Sequence, residues 1–348
     1  MDFSLSSDQN ELRALTRQIL DDACSTEHLK SVAASDTGTD LALWRTLADA
    51  GLVGIGLPES VGGGGLGIIE TSVVLEEIGR VAAPVPALAV MGLAAPALAG
   101  FPELLAGVAS GEVVVTAAIH EPVGDPFEPA TVVEDGKVTG TKVCVPHGLI
   151  AKRFVVTAAD GLYCVEADDP RVRVTRQDTT TGVPDAMVEF DGATAKCLGN
   201  PDATRAMLNR GMSAATIMTS GACQAALLLM AEYTKGRQQF DKIIASFQAV
   251  SQRAGDAYID TEGVRLTAWQ AAWRLSEGLP ADEALLSAKF WAAEGGWRIM
   301  HGAHHVHGGV GVDRDYPLHR FFLLHKQLEL QLGSTQPSLA RLGRLLVG

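Results

Sequence analysis

The sequence predicts an α+β fold in three zones: an N-terminal helical domain over residues 1–110, a middle β-domain over 111–200 and a C-terminal four-helix bundle over 201–348. Apolar residues recur at helical spacing at both ends of the chain, whereas residues 113–200 carry short β-branched runs broken by turn residues. The last third returns to apolar segments too long for an average globular helix and joined by Gly or Pro. That is the pattern of an antiparallel bundle with oligomer contacts.

In chain order, Asp8 with Glu11 resembles a capping box, and Leu12, Leu15, Ile19 and Leu20 fall on one helical face behind it. Helical patterns follow over 41–50, ended by Gly51, and over 68–78 and on to about residue 110. The glycine run in 58–67 marks a loop between them. Residues 81–101 carry no charge and are long enough to span a bilayer. Pro84, Pro86, Gly92, Pro96 and Gly100 interrupt that stretch and Ala dominates it, which predicts short buried helices instead. Strands are expected at 113–119, 137–145, 154–157, 172–175 and 187–190, with Glu134, Asp135 and Gly136 as a hairpin turn. Helices are expected at 203–238, 247–277, 282–304 and 317–330.

A chain of 348 residues, 47% hydrophobic, can bury a large core. The formal charge of -13 argues against nucleic-acid or anionic-membrane partners, which need clustered cations. Residues 1–7 lack the basic and apolar segments of a secretory signal, so a cytoplasmic protein is expected. The 5 cysteines are scattered without a CxxC pair, which predicts reduced packing residues and neither a disulfide framework nor a metal site.

Three segments carry a resemblance. Residues 51–80 read GLVGIGLPESVGGGGLGIIETSVVLEEIGR, ending in Glu-Glu-x-Gly; 233–248 read YTKGRQQFDKIIASFQ; and 301–322 read HGAHHVHGGVGVDRDYPLHRFF. In this order and spacing the sequence resembles the acyl-CoA dehydrogenase family over nearly its whole length. The resemblance implies FAD as cofactor and an acyl-CoA as substrate. Arg237 offers a permanently charged planar donor suited to the FAD diphosphate. Gly308, Gly309 and Gly311 remove side chains where backbone would approach the dinucleotide. Phe240, Ile244 and Gln248 are read as one helical face after Arg237 that walls the same cofactor, although a core face explains Phe240 and Ile244 as well. His305 stands where the family often has Gln, an adenine contact. In the family these elements reach a flavin lying mainly on the neighbouring subunit.

The chemistry that the resemblance implies needs a carboxylate at a fixed place. Most of the family carries it in a Glu-Gly-Thr turn, and the matching residues here are Leu332, Gly333 and Ser334. A minority carries it on the first bundle helix, where this chain has Gly211 and Met212. Glu329, about one helical turn before Leu332, is the best alternative carboxylate, which a solvated or ion-paired role explains more easily. In the β-domain, His120-Glu121-Pro122 and Gly124-Asp125-Pro126 replace the family's Thr-Glu-Pro and Gly-Ser-Asp, and Cys144-Val145-Pro146 replaces Trp-Ile-Thr. Elements serving a neighbour's flavin are kept, whereas those serving this chain's own are lost. The chain therefore resembles the base-lacking subunit of the α2β2 acyl-CoA dehydrogenases of actinobacterial steroid side-chain degradation. That implies a homologous catalytic partner subunit and electron-transfer flavoprotein as acceptor. Two other readings remain open: a self-sufficient homo-oligomeric dehydrogenase with a displaced base, and a non-enzymatic scaffold or acyl-CoA binder.

Overall fold

The structure, a computed structural model, describes residues 4–347. The outer limits of the first and last zones, and the first three residues of the stretch read for a signal, lie outside the described residues. The helical first zone holds α1 (Ser7–Ala23), α2 (Thr26–Ala33), α3 (Leu41–Asp49), α4 (Ile68–Val81) and α5 (Ala95–Ala97). The capping box of α1 is not Asp8 with Glu11. Ser6 is the N-cap: its hydroxyl accepts from the Gln9 amide, and the Gln9 side chain accepts from the Ser6 amide. The helix starts one residue before Asp8, so Asp8 sits in the first turn, where its charge favours the helix dipole. Gly51, at φ 75°, follows α3 as its left-handed stop. Leu88–Ala94 winds as a π-helix into α5 and is buried throughout, so the uncharged stretch forms short packed turns.

The middle zone holds β1 (Val115–Ala118), β2 (Val132–Glu134), β3 (Lys137–Pro146), β4 (Arg153–Ala158), β5 (Gly161–Glu166), β6 (Val172–Gln177), β7 (Asp185–Thr194) and β8 (Lys196–Gly199). Asp135 and Gly136, at φ 50° and 72°, turn β2 into β3 as the sequence predicts. The last zone holds α6 (Pro201–Gly236), β9 (Gln238–Gln239), β10 (Lys242–Ile243), α7 (Gln248–Ser276), α8 (Asp282–His307), α9 (Leu318–Leu330) and α10 (Thr335–Val347). Helices α2 and α10 and strands β2, β5, β8, β9 and β10 have no counterpart among the expected segments. Of the described helices, α6 is long and apolar enough to cross a membrane, and 72% of its most apolar window is buried inside the protein.

By contact the chain divides into two compact units, one of them Ser72–Ala83 with the residues up to Glu27 and from Met212 on, the other His28–Thr71 with Pro84–Gly211. The second unit is built on two four-stranded sheets, β1-β4-β5-β8, with β1 and β4 parallel, and the antiparallel β2-β3-β7-β6. Phe154, Val156 and Val165 of the first sheet share one core with Val138, Val188 and Phe190 of the second, and Phe154 meets Phe190 edge to face at 6.1 Å.

In the first unit, α7 and α8 pack along each other, and α4 crosses α6 with backbones almost touching. A Cβ on Gly221 would lie 2.0 Å from the Glu76 carbonyl oxygen, and one on Gly79 would lie 2.1 Å from that of Met218. The Glu-Glu-x-Gly segment is therefore a packing device. Glu76 accepts from Arg13, Ser220 Oγ and Trp269 Nε1, and Glu77 accepts from Arg17 and Arg80. Burial pushes the Glu76 carboxyl up, opposed by Arg13 and by those two hydrogen bonds.

Candidate functional site

The first wall of the site is the junction between α6 and α7. The Arg237 amide donates to Tyr233 O, completing the last turn of α6, and the Ile244 amide donates back to Arg237 O. Between them β9 and β10 form a hairpin whose turn residues, Phe240 and Asp241, sit at φ 54° and 62°. Two consecutive left-handed residues make a type I′ turn and cannot continue a helix. Arg237, Phe240, Ile244 and Gln248 therefore do not form one helical face. Gln248 opens α7, and Phe240 stands out from the hairpin, 87% exposed, with its ring edge to face with Phe247 at 6.3 Å.

The second wall is the end of α8. Its last residue, His307, is buried, and its Nδ1 faces the Ala303 carbonyl at 2.7 Å. A carbonyl only accepts, so Nδ1 carries the proton and Nε2 accepts from the Tyr316 hydroxyl at 3.0 Å. Tyr233 stacks on the same ring at 4.3 Å. This anchor fixes Gly308, at φ 59° and ψ -136°, a conformation open chiefly to glycine. A Cβ on Gly311 would meet His304 O and His307 Cβ at 3.2 Å, so packing within the chain explains that glycine. A Cβ on Gly309 would meet nothing within 4 Å, so packing within the chain does not explain that glycine.

Between the walls lies a groove of about 400 Å³. Arg237, Phe240, Ile244, His305 and Gly308 line it, whereas Gln248, Gly309 and Gly311 lie outside its lining. Tyr233, Phe247 and Val250 complete its apolar sides. Arg253, which the sequence reading missed, lines it too, and its signal was legible: it stands on the face of α7 defined by Val250 and the buried Ala257. Arg253 and His305 also border a second groove of about 810 Å³ along α7 and α8, with Trp297 and His301 on its wall. Among the described residues no carboxylate lies within ion-pair distance of Arg237 or Arg253. An exposed Arg237 and a half-buried Arg253, both without a counter-ion and flanked by aromatic and apolar surface, fit an anionic dinucleotide. Also among the described residues, no group of three or more His, Cys, Asp or Glu side chains is placed to hold a metal.

Leu332 and Gly211, the two positions that the resemblance matches to the family's base, are both buried. Leu332 is buried at 1% exposure with φ 59°, and Gly211 is buried inside α6. Glu329 is engaged by Lys326 and lies 4.0 Å from His325 Nδ1. Beneath it, Lys289 donates to the carbonyls of Leu328 and Glu329 at the end of α9. Burial drives that amine down to about 7, opposed by Glu329.

In the β-domain Glu121 is fully engaged, accepting from the amides of Ala130 and Thr131, Thr131 Oγ1 and the buried Lys142 Nζ. Burial opposes the charge, but these donors outweigh it and hold the carboxyl at about 2. Cys144 takes φ 51° where β3 shifts register against β7, and its amide donates to Gln177 Oε1. Asp185, paired with Pro146 across the ladder, is buried with Oδ1 unpartnered, and burial pushes it up to about 6.

Residues 6–103 match the model of the acyl-CoA dehydrogenase N-terminal domain, and residues 201–346 that of the C-terminal domain. The chain is 39% identical to acyl-CoA dehydrogenase FadE27 of Mycobacterium tuberculosis, over 99% of both proteins. It superposes with a TM-score of 0.94 on a chain of the ChsE4-ChsE5 complex from Mycobacterium tuberculosis, at 39% identity, covering 100% of this chain and 99% of that one. The TM-score is again 0.94 against a variant of the Tcur3481-Tcur3483 steroid ACAD, at 38% identity and 99% coverage of both chains.

Proposed function

The chain belongs to the acyl-CoA dehydrogenase family, and from that premise we propose that it is the base-lacking subunit of an FAD-dependent α2β2 acyl-CoA dehydrogenase. The substrate class is a bulky acyl-CoA of the steroid side-chain type, and the setting is cytoplasmic, with electron-transfer flavoprotein as acceptor. The similarity to a two-component complex and to a steroid ACAD supports this reading. The observation that carries it is Leu332, a buried aliphatic side chain at the position that the resemblance matches to the family's proton acceptor. Desaturation needs a carboxylate for the α-proton and, in bound FAD, an acceptor for the hydride leaving the β-carbon. This chain's part is to hold and orient. Arg237 would bind the FAD diphosphate, Phe240 and Ile244 would cover its flank, and the Gly308 turn would let backbone approach.

The test is to purify the chain alone and again co-expressed with a homologous subunit that carries the Glu. A yellow, active pair and a colourless, inactive single chain support the proposal. Turnover by the single chain, abolished by Glu329→Gln with flavin still bound, would replace it with a self-sufficient enzyme. Absence of flavin and turnover in both preparations would leave a scaffold.

A further inference from the structure

We propose that Arg253 is a second diphosphate-binding cation, so that Arg237 and Arg253 together clamp the diphosphate of a dinucleotide in the groove between α6 and α8. The inference rests on the cofactor role proposed above. Arg237 enters the groove from the end of α6, Arg253 from the second turn of α7 and His305 from α8. Three basic groups on three elements meeting at one groove is unexpected in a chain of net charge -13.

In the same unit Arg13 and Arg17 are neutralised by Glu76 and Glu77, Arg265 by Glu262 and Arg298 by Asp260, whereas Arg274 and Arg320 reach only backbone carbonyls. Arg237 and Arg253 have no such partner among the described residues. An unpaired cation exposed to water costs nothing, but two facing one groove repel each other until an anion joins them. A diphosphate carries a negative oxygen set on each phosphorus, and two planar guanidiniums match it with paired N–H donors. The walls favour this, because Ile244, Phe247 and Val250 lower the local dielectric and strengthen a charge contact there. Arg253 is also held in place. Its Cγ lies 3.6 Å from where a Cβ on Gly302 would be, so the stem lies against α8 at that glycine.

The experiment is calorimetric titration of the full chain with ADP and with inorganic pyrophosphate, in the wild type and in Arg253→Gln, Arg253→Lys and Arg237→Gln. We expect wild-type binding that both Gln variants weaken about tenfold to a hundredfold, as the loss of one charge-assisted contact requires. Arg253→Lys should keep part of the affinity, and the dependence on salt should flatten in Arg253→Gln. Melting temperatures report folding of each variant, and riboflavin, which carries no phosphate for a guanidinium to grip, should bind wild type and Arg253→Gln alike. Equal ADP affinity in wild type and Arg253→Gln overturns the clamp, as does failure of the wild type to bind either anion. A yellow, active pair of subunits combined with that failure removes the clamp and leaves the proposed function standing. A clamp confirmed in a pair that shows no turnover does the reverse.

Discussion

At the scale of single residues, acidic groups that sequence alone leaves ambiguous are sorted by their donors. Glu121 stands in the segment that the resemblance matches to the family's Thr-Glu-Pro, and its oxygens are consumed by Ala130, Thr131 and Lys142. Its folded pKa of about 2 lies below the usual 4.5, so its contribution is fully present above 4.5 and is lost as pH falls towards 2. Glu121→Gln would strand the fully buried Lys142 charge and should cost about 3 kcal/mol at neutral pH. The gap between wild type and variant in denaturant unfolding should shrink from pH 4.5 downwards. A gap that stays constant to pH 3 would show that the Lys142 contact does not carry this stability.

At the scale of elements, one helix crossing and one hairpin shape the helical unit. The α4–α6 crossing depends on Gly79 and Gly221, each facing a carbonyl oxygen of the other helix. Alanine at Gly221 gains about 1 kcal/mol of helix propensity but drives a methyl group into backbone, which costs about 3 kcal/mol or more. We expect Gly221→Ala to lower the unfolding free energy by about 2 kcal/mol or more, and a variant as stable as wild type would mean that the helices separate freely. The hairpin between α6 and α7 is the second element. Its spacing of apolar residues mimicked a helical period, and the physical reason it is not a helix is local: Phe240 and Asp241 both adopt positive φ. Nothing in the composition of that segment announces it, since neither residue is Gly or Asn.

At the scale of the whole molecule, the asymmetry between kept and lost features yields a prediction about an assembly. If the Arg237 groove serves flavin held mainly by a sister chain, Arg237→Ala in this chain should strip flavin from the purified complex. The expected loss is about tenfold or more in flavin affinity, read from the 450 nm absorbance after gel filtration, with the subunit ratio unchanged. Full retention of flavin would place the diphosphate elsewhere.

The sequence by itself determined the three-zone order, the family, the absence of a carboxylate at Leu332 and Gly211, and the residue types of the groove. These are legible because period, turn chemistry and residue identity are local properties, written in consecutive positions. Only the tertiary structure decided that Arg253 joins Arg237 and His305, that Gln248 stands apart from them, and that Glu121 and Glu329 are occupied by Lys142 and Lys326. Convergence and pairing depend on distances between segments far apart in the chain, and those are set by how helices and sheets pack, not by the spacing of letters.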